Sequence, residues 1–330
     1  MQQLLLASAT IVVGVFGCVG YFFASNLILD SIFPARGPNA GRNILRAGAV
    51  RPWLFLFPAI ALLTVYLVYP VFVSILLSFK DGTGDNFVGL DNYTWLLSDD
   101  KFRESVVNNL LWLVVVPAAS TFFGLIAAAL TDRIKWGNFA KSMIFMPMAI
   151  SFIGASVIWK FIYDYRGEGQ SEIGLLNALV EMFGGTAQIW LTIPFWNNFL
   201  LMVVLIWIQT GFAMVILSAA LRGIPEETIE AAILDGASPF QIFLKIKVPQ
   251  IWGTIAVVWT TITITVLKVF DIVYAMTNGQ WGTQVLGSMM YDWMFRANDT
   301  GRGSAIALVI MLMVTPIMIW NIRTTRREMR

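Results

Sequence analysis

Apolar residues along this chain gather in long blocks separated by short polar stretches. Seven blocks, at about 3–29, 52–79, 106–131, 142–163, 197–221, 250–275 and 303–322, reach the roughly 17–25 residues with which a helix crosses a bilayer. The segment between the fifth and sixth blocks differs from the other connections. Residues 225–249 mix charge with helix-forming Ala, Ile and Leu, so this stretch is expected to be structured outside the membrane.

Composition sharpens that picture. Hydrophobic residues make up 58% of the 330, charged residues 13%, and the mean hydropathy is +0.73, whereas a soluble chain carries roughly 45–50% apolar residues. The expected fold class is an all-α membrane protein with about seven transmembrane helices, and its solvent is the lipid bilayer. A net charge of +2 gives no ground for a nucleic-acid partner, and the cations sit in short loops rather than in one stripe.

The placement of those cations sets an orientation. With the N-terminus outside and the C-terminus in the cytoplasm, fourteen Lys and Arg residues border the inner side: Arg36, Arg42, Arg46 and Arg51, then Arg133, Lys135 and Lys141, then Arg222, Lys245 and Lys247, then Arg323, Arg326, Arg327 and Arg330. Six border the outer side: Lys80, Lys101, Arg103, Arg166, Arg296 and Arg302. The expected location is therefore a cell inner (cytoplasmic) membrane, crossed several times. Lys160 and Lys268 fall near outer helix ends, where a long side chain reaches the interface. Asp271 follows Lys268 by three residues, which on one helix would share a face, so the two are a candidate gate ion pair or a plain interfacial pair. The first block is read as a retained helix, because no cation precedes it and its apolar run is long for a signal core.

Several chemistries are excluded by residue type. The chain has no histidine and a single cysteine, Cys18, so zinc clusters and Ser-His or Cys-His nucleophiles are unavailable, as is an intrachain disulfide. No lysine follows a glycine, which removes the phosphate-cradling Gly-Lys-Ser/Thr loop. No catalytic, cofactor or metal site is expected in this chain, and any ATP hydrolysis must come from another one.

The charged insert can be built residue by residue. Pro225 suits a first helical position, Glu226 and Glu227 meet the positive end of the helix dipole, and the run to Asp235 favours helix. Gly236 supplies a left-handed stop. Ser238, Pro239 and Gln241 form the next start signal, with a capping residue, a first-turn proline and a capping-box partner. Pro249 marks the return to the membrane. The expected product is helix, glycine turn, helix.

Glu230-Ala231-Ala232, Gly236, Ile246 and Pro249 stand at the spacing of the EAA signature, and this insert resembles that of the membrane subunits of binding-protein-dependent ATP-binding-cassette importers. Asp235-Gly236-Ala237, Gln241 and Phe243 are similar to the carbohydrate-uptake branch, of the maltose and α-glucoside type, as are Lys268-Val269-Phe270-Asp271, Asn278-Gly279, Tyr291 and Phe295. Val248 replaces a usual Leu, and Gly279-Gln280-Trp281 stands where the family continues Gly-Gly-Pro. The resemblance implies a type I six-helix permease core over residues 52–330, with a coupling loop at about 222–249 that docks on an ATPase, and an added N-terminal helix with a basic cytoplasmic linker over 1–51. It also implies the partners: a second permease subunit, two ATPase subunits holding ATP and Mg, and an extracytoplasmic sugar-binding protein. Glu230, Ala231, Ala232, Asp235, Gly236, Ile246 and Pro249 would be the coupling residues.

Within the spans, Asn108, Asn109, Gln209, Thr210, Thr261 and Thr265 are candidates for a polyol pathway, against the alternative of helix-to-helix hydrogen bonding. The aromatic stretch 190–196 either meets a binding protein or lies on the bilayer. The expected function is import of an α-glucoside or maltose-type sugar. Its alternatives are another small solute such as glycerol phosphate, or a secondary transporter run by an ion gradient, which would call for midplane acidic groups that the spans do not show.

Overall fold

The computed structural model describes residues 2–132, 134–167 and 173–328. Of the inner-side cations named above, Arg133 and Arg330 lie outside the described residues, as do the side chains of Arg326 and Arg327. The chain forms two compact units, Met1–Val73 and Ser74–Arg330. The described residues form helices and turns, with one isolated antiparallel bridge between Lys80 and Phe87.

The first unit holds α1 (Gln2–Ile32) and α2 (Ala40–Leu63), followed by a π-turn at Thr64–Val68 and by α3 (Tyr69–Leu77), which runs on into the second unit. Large apolar side chains such as Leu5, Phe16, Leu56 and Phe57 stand exposed along both helices, which suits a surface solvated by lipid. Between α1 and α2 the Tyr21 hydroxyl donates to the Leu54 carbonyl at 2.7 Å, Phe22 meets Phe55 edge-on at 5.2 Å, and Arg51 pairs with Asp30 at 3.4 Å. Helix α2 begins at Ala40, earlier than the expected start at 52, because residues 40–51 hold Ala, Leu and Arg, good helix formers, and no proline. Arg42, Arg46 and Arg51 therefore ride on its first turns.

Two π-turns share one cause. Thr64–Val68 is followed two residues later by Pro70, and Phe243–Lys247 two residues later by Pro249. A proline ring inside a helix removes one N–H and crowds the carbonyl four residues back, and a wider turn relieves that crowding.

The second unit begins its helices with α4 (Asp91–Ser98), α5 (Asp100–Thr131) and α6 (Gly137–Phe145), the last extended by a 3₁₀ turn at Met146–Ala149. Next come α7 (Phe152–Ile162), α8 (Leu175–Met182), α9 (Trp196–Arg222), α10 (Glu226–Leu234) and α11 (Pro239–Ile242). After the second π-turn follow α12 (Val248–Gln250), α13 (Trp252–Leu267), α14 (Asp271–Met276) and α15 (Leu286–Tyr291), a third π-turn at Asp292–Arg296, and α16 (Thr300–Glu328). Among the described residues, five helices are long and apolar enough to cross a membrane, or up to seven if each of two bent pairs counts as one span.

The bent pairs are where the structure departs from the expected straight spans. The block at 142–163 is two helices meeting at 106°. Ile150 is extended there, and Ser151 caps α7 by accepting from the Gly154 N–H at 3.1 Å, so the helix restarts in a new direction. The second pair is Pro239–Gln250 and Trp252–Leu267, meeting at 70° at the start of the block at 250–275. Within that block the helix stops again, with α13 ending at Leu267 and α14 starting at Asp271. Lys268 and Asp271 consequently lie on either side of a helix break, and no ion pair joins them among the described residues.

The core is the seam between α5 and α9. Trp112 and Val116 from α5 and Met202, Leu205, Met214 and Leu217 from α9 are fully buried, and Val258, Ile262 and Val266 of α13 close the cluster. A Cβ at Gly124 would overlap that of Ala213 and lie 2.9 Å from the Met214 nitrogen. Gly124→Ala is therefore expected to destabilise the unit by about 1–3 kcal/mol, read as a lowered unfolding temperature in detergent. Gly14→Ala, where nothing lies within 4 Å, is expected to leave it unchanged.

Candidate functional site

The insert folds as its local signals dictate. Pro225 caps α10 from just outside, one position earlier than expected, and Glu226 and Glu227 occupy the first turn. Gly236 has φ +79°. Its N–H reaches the Ile233 carbonyl at 3.0 Å, and the Ala237 N–H reaches that of Ala232 at 3.0 Å, the paired bonds of a glycine-terminated helix. Ser238 and Gln241 exchange both capping-box bonds, at 2.8 and 3.4 Å, and so start α11.

Glu230, Ala231, Asp235 and Gly236 are thereby brought together and exposed, while Ala232 is buried beneath them. Ile233 and Leu234 are exposed beside them, Leu234 to 88%, and form an apolar tip. Ile246 and Pro249 lie apart from these, on the second helical arm.

Below this arm the helix ends are tied to one another. Lys141 of α6 pairs with Asp132, which follows α5, and donates to the Ser218 hydroxyl of α9 at 2.7 Å, while that hydroxyl donates to Asp132 at 3.1 Å. The pair is mostly shielded from solvent. Beside it a cavity of about 470 Å³ is lined by Asp132, Arg222, Glu226 and Lys247 among others, so the insert and the core helices share a wall. The members of this triad are too far apart in sequence for spacing to have announced them.

At the other end of α5, residues 277–285 form a loop of unusual backbone. Asn278, Gly279, Trp281 and Gly282 all have positive φ, of 54°, 71°, 57° and 77°. Buried asparagines hold the loop in place. Asn108 donates to the carbonyls of Gly282 (2.9 Å) and Gln284 (2.8 Å), and Asn109 accepts from the Leu286 N–H (2.8 Å). Asn197 donates to Trp281 (2.7 Å) and Asn198 to Gly282 (3.1 Å), while Glu104 accepts from the Gln284 N–H (3.2 Å). The amides of Asn108 and Asn109, candidates for a polyol pathway in the sequence, are thus directed to the loop. Their structural signal was present all the same: two Asn-Asn pairs, 108–109 and 197–198, sit near the same ends of two apolar spans. Lys160 joins the same region by donating to the Ala275 carbonyl at 3.1 Å.

The other pathway candidates divide into two kinds. The hydroxyls of Thr210, Thr261 and Thr265 donate to carbonyls four residues back, at 2.7, 2.8 and 3.2 Å. Gln209 is half-buried and its amide bonds to no other described residue, which leaves it open to a ligand. In the turn before α4, Asn86 and Thr83 hydrogen-bond the Asp81 side chain and hold its carboxyl well below the usual carboxylate range.

Comparison with known proteins gives this geometry a context. The family model described as binding-protein-dependent transport system inner membrane component matches residues 120–327. An alpha-glucoside transport system permease protein of Rhizobium meliloti is 68% identical, with 99% of each chain covered. An osmoprotective compounds uptake permease protein of Synechocystis sp. is 50% identical over 83% of this chain and 99% of its own. Among solved structures, a bacterial alginate ABC transporter in complex with an alginate pentasaccharide-bound periplasmic protein contains a chain that superposes with a TM-score of 0.74 at 19% identity, covering 88% of this chain and 98% of that one. That likeness shows the fold, which is that of an ABC importer permease.

The asparagine clamp makes its own prediction. Asn108→Ala strips the amide from two loop carbonyls, at about 1–3 kcal/mol for buried groups left unpaired. Amide exchange over 278–286 is expected to accelerate while that of α10 stays as it was; unchanged exchange in the loop would remove the clamp from this account.

Proposed function

The chain belongs to the binding-protein-dependent transport system inner membrane components, and from that membership we propose that it is the translocating subunit of an ATP-driven importer for an α-glucoside. The observation that carries this reading is the 68% identity, along essentially the whole chain, to an alpha-glucoside permease. The 50% identical permease for osmoprotective compounds supports a second reading, in which the solute is another small, highly hydrated molecule.

The coupling face is Glu230, Ala231, Ala232, Asp235 and Gly236 at the tip of the insert, with Ile246 and Pro249 on its second arm. Small residues let a partner's surface approach the backbone, and the exposed Ile233 and Leu234 fill an apolar slot in it. Two capped helices around one glycine joint are stiff enough to pass on a displacement. ATP and Mg bind to two partner ATPase subunits, a second permease completes the pathway, and a sugar-binding protein delivers the solute from outside. The N-terminus is outside and the C-terminus cytoplasmic, an orientation supported by the excess of cations on the insert side. Residues 1–51 are an added helix and linker, and residues 52–330 form the permease core. Closure of the ATPase pair turns the cavity outward and its reopening turns it inward. Gln209 contacts the solute along the pathway, with Thr210, Thr261 and Thr265 offering the acceptor side of their hydroxyls.

Gly236 separates coupling from folding. Proline fixes φ near −65°, whereas the joint needs +79°. Gly236→Pro is expected to abolish uptake of radiolabelled maltose in cells while the chain still reaches the membrane in normal amount. Gly236→Asn, which tolerates the left-handed region, is expected to retain most uptake. Normal uptake in the proline variant would contradict the coupling role.

A further inference from the structure

The asparagine-clamped loop forms one wall of an open cleft of about 530 Å³, a size within the roughly 300–1,000 Å³ of small-molecule sites. Lys101 and Glu104 from the first turns of α5 face Gln280, Trp281 and Gln284 of the loop, and Asp292 closes the far side. No aliphatic side chain lines this cleft. Its chemistry is two carboxylates, one ammonium, carboxamides and a single indole.

Each of these groups rules out a class of ligand. The Glu104 carboxylate is matched by the Lys101 ammonium and that of Asp292 by Arg296 at 3.0 Å, so the cleft carries no surplus charge for an ion, and the polar walls disfavour an apolar molecule. Among the described residues, no group of three or more acidic or Cys side chains gathers for a metal ion. The indole of Trp281 is 50% exposed and offers a flat face to C–H bonds. A neutral, polyhydroxylated ring meets all of these demands: one face carries C–H groups for the indole, and its edge carries hydroxyls that donate to carboxylates and accept from amide and ammonium N–H.

The cleft is also held in shape before any ligand arrives. Trp281 has φ +57°, a conformation that costs a bulky residue about 1–3 kcal/mol and persists only where its surroundings over-determine it. Here Asn197 fixes its carbonyl, and Asn108 and Asn198 fix the next one. Asp292 is braced by Arg296 at 3.0 Å and by the Gln284 amide at 3.2 Å.

We propose that this cleft is a carbohydrate subsite at the outer end of α5, separate from the pathway around Gln209. A pyranose ring stacks on Trp281 and pairs its hydroxyls with Glu104, Gln280, Asp292 and the Lys101 ammonium. It holds the sugar loosely before the sugar enters the bundle. The inference rests on the import reading above for the choice of a glucoside as ligand.

The test uses the complete transporter in lipid nanodiscs, without soluble binding protein, and maltose carrying a photoreactive diazirine. Label is expected on the peptide spanning 278–292, displaced by excess unmodified maltose. Trp281→Ala should lower that label roughly two- to tenfold, the factor that corresponds to one aromatic contact, and Trp281→Phe should restore it. Glu104→Gln keeps an acceptor for the Gln284 N–H, so it should reduce label without loosening the loop in amide exchange. Label on this peptide that Trp281→Ala leaves unchanged, absence of label from it, or displacement by glycine betaine as effective as by maltose would each overturn the subsite. Uptake of radiolabelled maltose by the same complex with its binding protein is measured in parallel. Import without cleft labelling removes the subsite alone, whereas cleft labelling without import removes the proposed function and leaves a sugar site standing.

Discussion

At Gly124 the backbone of α5 comes so near to Ala213 of α9 that there is no room for a side-chain carbon between them. Within a bilayer the hydrophobic effect does not drive helices together, because lipid tails are as apolar as leucine, so close van der Waals packing of this kind has to do so. The rest of the second unit depends on that seam. Its N-terminal ends present Asn108, Asn109, Asn197 and Asn198, whose amides shape the loop at 277–285 only because the two helices are held in register. Its C-terminal ends present Asp132 and Ser218, which Lys141 joins. The insert starts where α9 stops, so α10 is joined directly to the seam.

The elements that the sequence announced are those whose causes are local. A span is legible because lipid demands an unbroken apolar run, and a capped helix is legible because Ser238, Gln241 and Gly236 act on neighbours within a turn. The 106° bend before α7 was not legible, since hydropathy continues unbroken through Ile150 and Ser151 while the backbone direction does not. Lys268 and Asp271 illustrate the same limit: three residues apart, they would share a face only if the helix continued, and it ends at Leu267. Long-range polar contacts were least legible. The bond from Asn108 to Gln284 crosses 176 positions, and the one sequence hint that this amide holds a loop rather than touching a solute is the matching pair Asn197-Asn198 far along the chain.

The two ends of the molecule carry different kinds of polar chemistry. The insert end exposes an apolar tip at Ile233 and Leu234, the surface that the proposed function assigns to a protein partner. The opposite end places carboxylates, amides and one indole around an open cleft on a strained loop, the surface proposed for a hydrated solute. Between them the threonines satisfy their own helices and Gln209 does not. In the proposed function the chain draws energy from a partner at one end and cargo at the other.

The coupling contact is the point on which this account turns. The most direct measurement is site-specific photo-cross-linking from position 234 in native membranes, followed by mass spectrometry of the joined chains. The account predicts a cross-link to an ATP-binding-cassette ATPase that weakens or shifts when the ATPase is trapped with nucleotide. Cross-links to lipid alone, with no ATPase in the purified complex, would contradict it and return the chain to transporters driven by an ion gradient.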